Sequence, residues 1–483
     1  MIARIRRQAL SRLTLPAITA GCALMAGGTS GFSPPADSGV HDGVTAAHIP
    51  AFARLYGTSC TTCHSAAPKL NVLGEAFRLN GYSLPDSDLL ERRDDPVPLG
   101  SEPWKDLWPR AIWPSELPGL APFALRVQSD LGVTRDEEAE TVSALRFPHE
   151  IYLLAGAPLG DGIGAFFEAE WSREKGLEVA QAKLAFQNPI SSLPEGLVNL
   201  WVGQQNLYLF TFADRQIDRA GRAKFAWQDF RSSDVQASEL SGGADLVSEG
   251  RFRLAAPQPS IEVNGLISER LYYGFGVAQG STARTEDDNT RKDVYYKLRY
   301  KFGGLNLAGR YDVGGGPSLG AGGQLLDRSV IIEHFGYFGG QPVAGGVDDD
   351  HRSFGLSVRA LQGPLDLGVG YVRSHHDSPW GAQSPGGLET SSWFGKLEYM
   401  GLPWLIGSVK ADRFRVTLPG GAVGPAFESG RSGQTRLIPG AVFLIRQNVR
   451  AVVEGELFLE DTRTNQESLR RPYSLWVRLD YAF

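Results

Sequence analysis

The chain ends Tyr473-Ser474-Leu475-Trp476-Val477-Arg478-Leu479-Asp480-Tyr481-Ala482-Phe483, and the reading of this stretch decides the fold. Tyr473, Leu475, Val477, Leu479, Tyr481 and Phe483 alternate with Ser474, Trp476, Arg478, Asp480 and Ala482. Successive side chains of a β-strand point to opposite faces. One face is therefore apolar throughout and the other carries charge. A strand with lipid on one side and water on the other needs this pattern.

Working outward, the same period recurs in Val294 to Phe302, in Val449 to Leu459 and in Ile163 to Trp171. The spacing predicts strands near 121–133, 142–155, 163–172, 178–187, 197–210, 259–268, 270–279, 293–302, 305–312, 353–361, 365–373, 391–400, 403–415, 435–446, 448–460 and 472–483. That is sixteen, an even number, as bacterial outer-membrane barrels require. Ser329 to Phe338 is strand-like as well; counting it gives seventeen, so it is assigned to a long loop. Tight connections such as Ser268-Glu269-Arg270 and Gln447-Asn448 then face the periplasm, and long ones face outward. A barrel of this size is wide enough for an aqueous lumen. The 58 glycines, 10% aromatic content and mean hydropathy of −0.19 suit a turn-rich β-protein with a wet inner face. The net charge of −6 argues against nucleic acid as partner. No stretch after the leader has about twenty consecutive apolar residues, so no helical span is expected.

At the other end, Arg4, Arg6, Arg7 and Arg12 precede an apolar run, Leu13 to Met25, and then small residues. That order predicts an export signal within 1–47, cleaved between 28 and 47. Cys22 is the alternative, as a lipidation site. The next unit, 48–95, contains Cys60-Thr61-Thr62-Cys63-His64. Cys-x-x-Cys-His is the covalent attachment signature of a c-type haem. Cys60 and Cys63 would bond the haem edge, and His64 would be the proximal iron ligand. A plain disulfide or redox dithiol is the competing reading, and the adjacent histidine in an exported chain weighs against it. His48 is the expected distal ligand; a free mature N-terminus and an open iron position are the alternatives, and Met400 would have to reach in from the barrel. Short helices are expected over 50–57 and 68–80, with Leu70, Leu73 and Phe77 on one face covering the haem. Residues 96–120, rich in proline and tryptophan, read as a linker to the barrel at 121–483.

The predicted outward loops hold acid clusters at Asp136-Glu137-Glu138, at Glu286-Asp287-Asp288 and at Asp348-Asp349-Asp350 followed by His351. They are candidates for a cation-attracting mouth, against the simpler reading of solvated loop charge. His375-His376 is a weaker metal candidate in another loop.

Three runs, Ile49-Pro50-Ala51-Phe52-Ala53-Arg54, Pro68-Lys69-Leu70-Asn71 and Phe77-Arg78-Leu79-Asn80-Gly81-Tyr82, flank the Cys60–His64 motif. Together they resemble the haem region of the fused outer-membrane monohaem c-type cytochrome–porins, a family that includes iron-oxidising outer-membrane cytochromes. The expected architecture is an all-β transmembrane, 16-stranded antiparallel barrel with a small N-terminal α-helical monohaem cytochrome c segment, in the bacterial outer membrane. The resemblance implies one haem c, with electrons moving from an extracellular donor, Fe(II) in characterised members, to periplasmic cytochrome or copper carriers. It implies Fe(II) oxidation as the activity and carries over Cys60, Cys63 and His64. Electron export to outside acceptors and a solute channel with an accessory haem domain are the alternative functions.

Overall fold

Strands with one apolar and one polar face pair into a single closed sheet in the computed structural model of this chain. The described residues are 51–84, 122–135, 141–160, 162–173, 175–214, 218, 220–232, 252–280, 290–311, 325–343, 346–381, 386–417, 431–461 and 473–483, with the short strands 97–98, 116–117 and 318–319. The leader, His48, Glu286, Asp287, Asp288 and the cluster at 136–140 lie outside them.

The wall is built from β1 (Phe123–Arg135), β2 (Val142–Gly160), β3 (Ile163–Ser172), β4 (Gly176–Gln187), β5 (Asn199–Gln205), β6 (Gln258–Ile267), β7 (Leu271–Ala278) and β8 (Asp293–Phe302). It continues through β9 (Leu325–Val343), β10 (Val347–Gly363), β11 (Leu365–His376), β12 (Leu388–Leu402), β13 (Leu405–Thr417), β14 (Arg431–Arg446), β15 (Val449–Asp461) and β16 (Tyr473–Ala482). All neighbours are antiparallel, and β16 closes on β1 with Tyr473 opposite Arg135 and Ala482 opposite Arg126. The wall thus has sixteen strands, the number expected from the sequence, in a closed barrel. Closure removes the unpaired sheet edges that an open sheet would expose.

One of the expected strands is misplaced. The expected strand at 305–312 is absent over its described residues, 305–311: Asn306 bends the chain through a turn in which its Oδ1 accepts from Ala308 N and Arg310 N. Ser329 to Phe338 belongs to the wall instead, inside β9, where Val330 opposes Phe302 of β8. The total survives because one segment replaces the other. The exchange relocates Asp348, Asp349 and Asp350: they lie on the first turns of β10, not in a loop.

Faces sort as the alternation requires. On β16, Leu475, Val477 and Leu479 are exposed on the outside while Arg478 and Asp480 are buried on the inside. Exposed aromatics, among them Phe302, Tyr399, Trp404 and Phe483, sit at the rim that carries the β12–β13 and β14–β15 turns. Inward charges are paired: Arg478 donates to both oxygens of Asp130 at 2.6 and 2.8 Å, and Arg450 to Asp480 at 2.8 Å. Among the described residues no helix is long and apolar enough to cross a membrane.

Two segments enter the lumen. The first runs from α1 (Ala51–Leu55) through Cys60–Thr62, a small hairpin of His64–Ala66 with Lys69–Leu70, to α2 (Val72–Leu79). The second helix therefore starts four residues later than expected, because Pro68 lies in the hairpin turn and Asn71 is the cap. Gly81 ends it at φ +65°, the left-handed conformation that favours glycine after a helix. The second segment follows β5, and its Phe210, Phe212, Phe225 and Trp227 join Phe335 and Phe394 of the wall in one buried cluster.

Candidate functional site

Local hydrogen bonding folds Cys60–His64 into a compact loop, and one asparagine holds it. Asn71 Nδ2 donates to the carbonyls of Thr61 (3.1 Å) and Thr62 (2.9 Å), and Asn71 N donates to Cys63 O at 2.9 Å. Its Oδ1 accepts from Leu73 N (3.0 Å) and Gly74 N (2.9 Å), capping α2. Gly74 lets α2 press against that loop: a Cβ there would stand 2.1 Å from Cys63 O. Cys60 N donates to Gln447 Oε1 at 3.1 Å, which fixes the loop to the β14–β15 turn.

Cys60, Cys63 and His64 line one side of a cavity of about 620 Å³. That volume lies within the range of small-molecule and cofactor sites. Leu70, Leu73 and Phe77 line it too, so the expected apolar face does meet the motif. Phe52 packs edge-on to Phe77 at 5.0 Å, and Tyr82 stacks on Phe166 of β3 at 5.1 Å. The far wall is polar, with Arg78, Arg126, Tyr152 and Tyr208. His64 Nδ1 lies 3.2 Å from Pro68 O. Burial lowers the His64 pKa to about 4, against the raising effect of backbone contacts with Pro68 and Lys69. Its imidazole is therefore neutral at pH 7. Burial and then the neighbouring Cys60 push the Cys63 thiol up to about 12.

Ion pairs tie this segment to the wall around the lumen. Lys69 Nζ reaches Asp218 (3.2 Å), Asp366 of β11 (2.5 Å) and Glu398 of β12. Burial alone would lower the Lys69 pKa, but these three carboxylates outweigh it and raise it. Glu75 accepts from Arg78 at 3.0 Å and from Arg299 of β8. Burial would raise the Glu75 pKa, yet Arg78 and Arg299 hold it at about 2. Arg78 is itself buried, and its Nε and Nη1 have no hydrogen-bond partner among the described residues. Its guanidinium lies over Tyr208 at 4.4 Å.

The remaining candidates separate. Met400 packs against a buried cluster that includes Ala66 and Ile406 and lines a smaller cavity with His64 and Lys69, not the large one. Asp350 pairs with Arg291 near the rim, and Asp348 stays exposed. Asp349 turns inward, and its Oδ2 is 2.8 Å from Nδ1 of His376. His375 points elsewhere, with Nε2 2.7 Å from Asp377 Oδ1. Asn71 is legible as a helix cap once the start of α2 is placed correctly. Lys69 carries no local signal, because its partners Asp218, Asp366 and Glu398 are 149 to 329 residues away in the chain.

Comparison with known proteins reaches the barrel alone. No family model and no curated protein matches the chain. Solved structures that resemble it include Salmonella typhi OmpF in complex with daunomycin, at 10% identity, with 75% of this chain and 97% of that one covered and a TM-score of 0.48. A loop-deletion mutant of Vibrio cholerae OmpT gives 9%, 75%, 99% and 0.47 in the same terms. An anion-selective porin from Comamonas acidovorans gives 13%, 75%, 98% and 0.46. No residue is read across at that level of likeness. The class rests on the strand pairing itself: a closed, sixteen-stranded antiparallel barrel with chain inside its lumen.

Proposed function

We propose that this chain is an outer-membrane cytochrome of the barrel type, holding one haem c in its lumen and passing electrons from extracellular Fe(II) to periplasmic carriers. One observation carries this reading. The two thiols, the imidazole, an apolar helix face and a buried arginine with free N–H groups share a single cofactor-sized cavity. Those donors fit haem c. Cys60 and Cys63 supply the thioether bonds, and His64 the axial nitrogen. The contact of Nδ1 with Pro68 O leaves Nε2 as the ligand nitrogen, as metal-bound histidines commonly arrange. Leu70, Leu73 and Phe77 exclude water. The free N–H groups of Arg78 suit a propionate carboxylate. Bound there, the group supplies a reversible one-electron couple; the protein supplies ligation, burial and position.

The apolar outer face and its rim of aromatics support a lipid setting, with the rim of the β10–β11, β12–β13 and β14–β15 turns toward the periplasm. The cavity lies at that end: Cys60 meets the β14–β15 turn, and Lys69 meets Asp366 next to the β10–β11 turn. A second reading, a solute channel, is favoured by the charged inner wall. Against free passage, the inner segments touch β2, β3, β8, β11 and β12 around the lumen. The test is covalent porphyrin absorbance in purified protein, haem reduction by Fe(II) added to intact cells, and conductance in planar bilayers. Absorbance with Fe(II)-driven reduction and little conductance is the expected outcome. Large open conductance without porphyrin sinks the proposal in favour of the channel. Oxidation of pre-reduced haem by external Fe(III), without the forward reaction, reverses the direction.

A further inference from the structure

We propose that Asp349, His351 and His376 form a binding site for one divalent first-row transition-metal ion at the end of the lumen opposite the β10–β11 and β14–β15 turns. The strand register brings them together. His351 of β10 is the direct cross-strand partner of His376, the last residue of β11. Asp349 precedes His351 by two, so both face inward. All three are buried, and one ligand atom from each lies within 4.8 Å of the others. Asp349 and His376 form an ordinary carboxylate–imidazole pair. His351 does not. Its side chain is fully buried, yet neither ring nitrogen has a hydrogen-bond partner among the described residues. Leaving a buried polar group unsatisfied is unfavourable, and a coordinated cation removes that cost.

The surroundings hold the donors in place. Phe252 stacks on His351 with ring centres 4.0 Å apart. Asp349 accepts from Gln341 Nε2 (3.2 Å) and Ser378 N (3.0 Å). A second carboxylate, Asp293, approaches His351 Nε2 to 3.4 Å and is oriented by Tyr337 OH at 2.6 Å. Such outer partners orient metal ligands. Two imidazoles with one carboxylate select Fe(II), Co(II) or Zn(II) over Ca(II) and Mg(II), which take oxygen ligands. Three protein donors leave coordination positions open, which suits an ion that enters and leaves. The site stands on this geometry alone; that its physiological ion is the Fe(II) donor rests on the electron-transfer reading above.

The experiment is anaerobic equilibrium dialysis of the full-length purified protein against Co(II), with X-ray absorption at the cobalt edge. One Co(II) per chain with two imidazole ligands is expected. His351→Gln and, separately, the isosteric Asp349→Asn weaken binding at least about tenfold, while His375→Gln leaves it unchanged. Each variant is first checked for wild-type heat-modifiable migration and porphyrin absorbance. No stoichiometric Co(II), or equal affinity in folded His351→Gln and Asp349→Asn, overturns the site. Porphyrin retained without Co(II) removes this site and leaves the cytochrome reading standing; Co(II) retained without porphyrin does the reverse.

Discussion

On the barrel wall, Leu475, Val477 and Leu479 face outward, and every stave finds its neighbours through backbone pairing repeated residue by residue. In the lumen, the segment from Ala51 to Leu84 has no backbone pairing with the wall. It is held by a few side chains: Lys69 among Asp218, Asp366 and Glu398, Glu75 between Arg78 and Arg299, and Cys60 N on Gln447. Stability is thus distributed in one region and concentrated in the other. Single substitutions therefore act differently on the two, and the barrel is able to outlast the loss of its contents.

The sharpest break in that contrast comes from Cys60→Ser with Cys63→Ser. Covalent porphyrin absorbance is abolished on haem-stained denaturing gels, while heat-modifiable migration of the barrel persists. Next in size is Lys69→Met, which strands three buried carboxylates with only Lys396 and Arg359 nearby. Removing one member of such a cluster costs on the order of 3–5 kcal/mol. Limited proteolysis should cut within 51–84 at lower denaturant, with the barrel midpoint unmoved. On the wall, Val477→Lys puts a charge on the lipid face at a cost of about 2–4 kcal/mol, and there the barrel midpoint itself should fall. Asn71→Ala is smaller, about 0.5–2 kcal/mol for the lost cap; it should lower porphyrin incorporation, with Asn71→Asp restoring the cap but not the donations to Thr61 and Thr62.

The smallest effect is that of acid. Glu75 has its pKa lowered from 4.5 to about 2 in the folded chain. A depressed carboxylate contributes stability above its unfolded value and loses it as pH falls toward the folded one. Protease access to α2 should therefore rise between about pH 4.5 and 2, and Glu75→Gln should flatten that dependence. A wild-type profile without any change across this window would show that α2 is not held by its charge pairs.

The wall was readable because its physics is local: alternation at period two names the inward and outward residues of β16 without knowledge of its neighbours. Where that signal met a parity argument it misled. Leu305 to Asp312 was given a stave that Leu325–Val343 actually occupies, and the error placed Asp349 in a loop. The loop of Cys60, Cys63 and His64 was readable from spacing alone. The meeting of Asp349 and His351 with His376 was not, since it depends on the register of β10 against β11. Lys69 looks like an ordinary surface cation in the sequence; only closure of the barrel brings Asp366 and Glu398 to it.

Closure also fixes an order of events. Once β16 zips onto β1, Cys63 sits in the lumen with its thiol held near 12. A protonated thiol is a feeble nucleophile at neutral pH, and in the closed barrel it lines an interior cavity. On the proposed reading the prosthetic group is fastened while the amino-terminal stretch is still loose in the periplasm, and the hoop is drawn around it afterwards. Barrels completed in cells without that fastening machinery would stay empty for good, however much haem was supplied later.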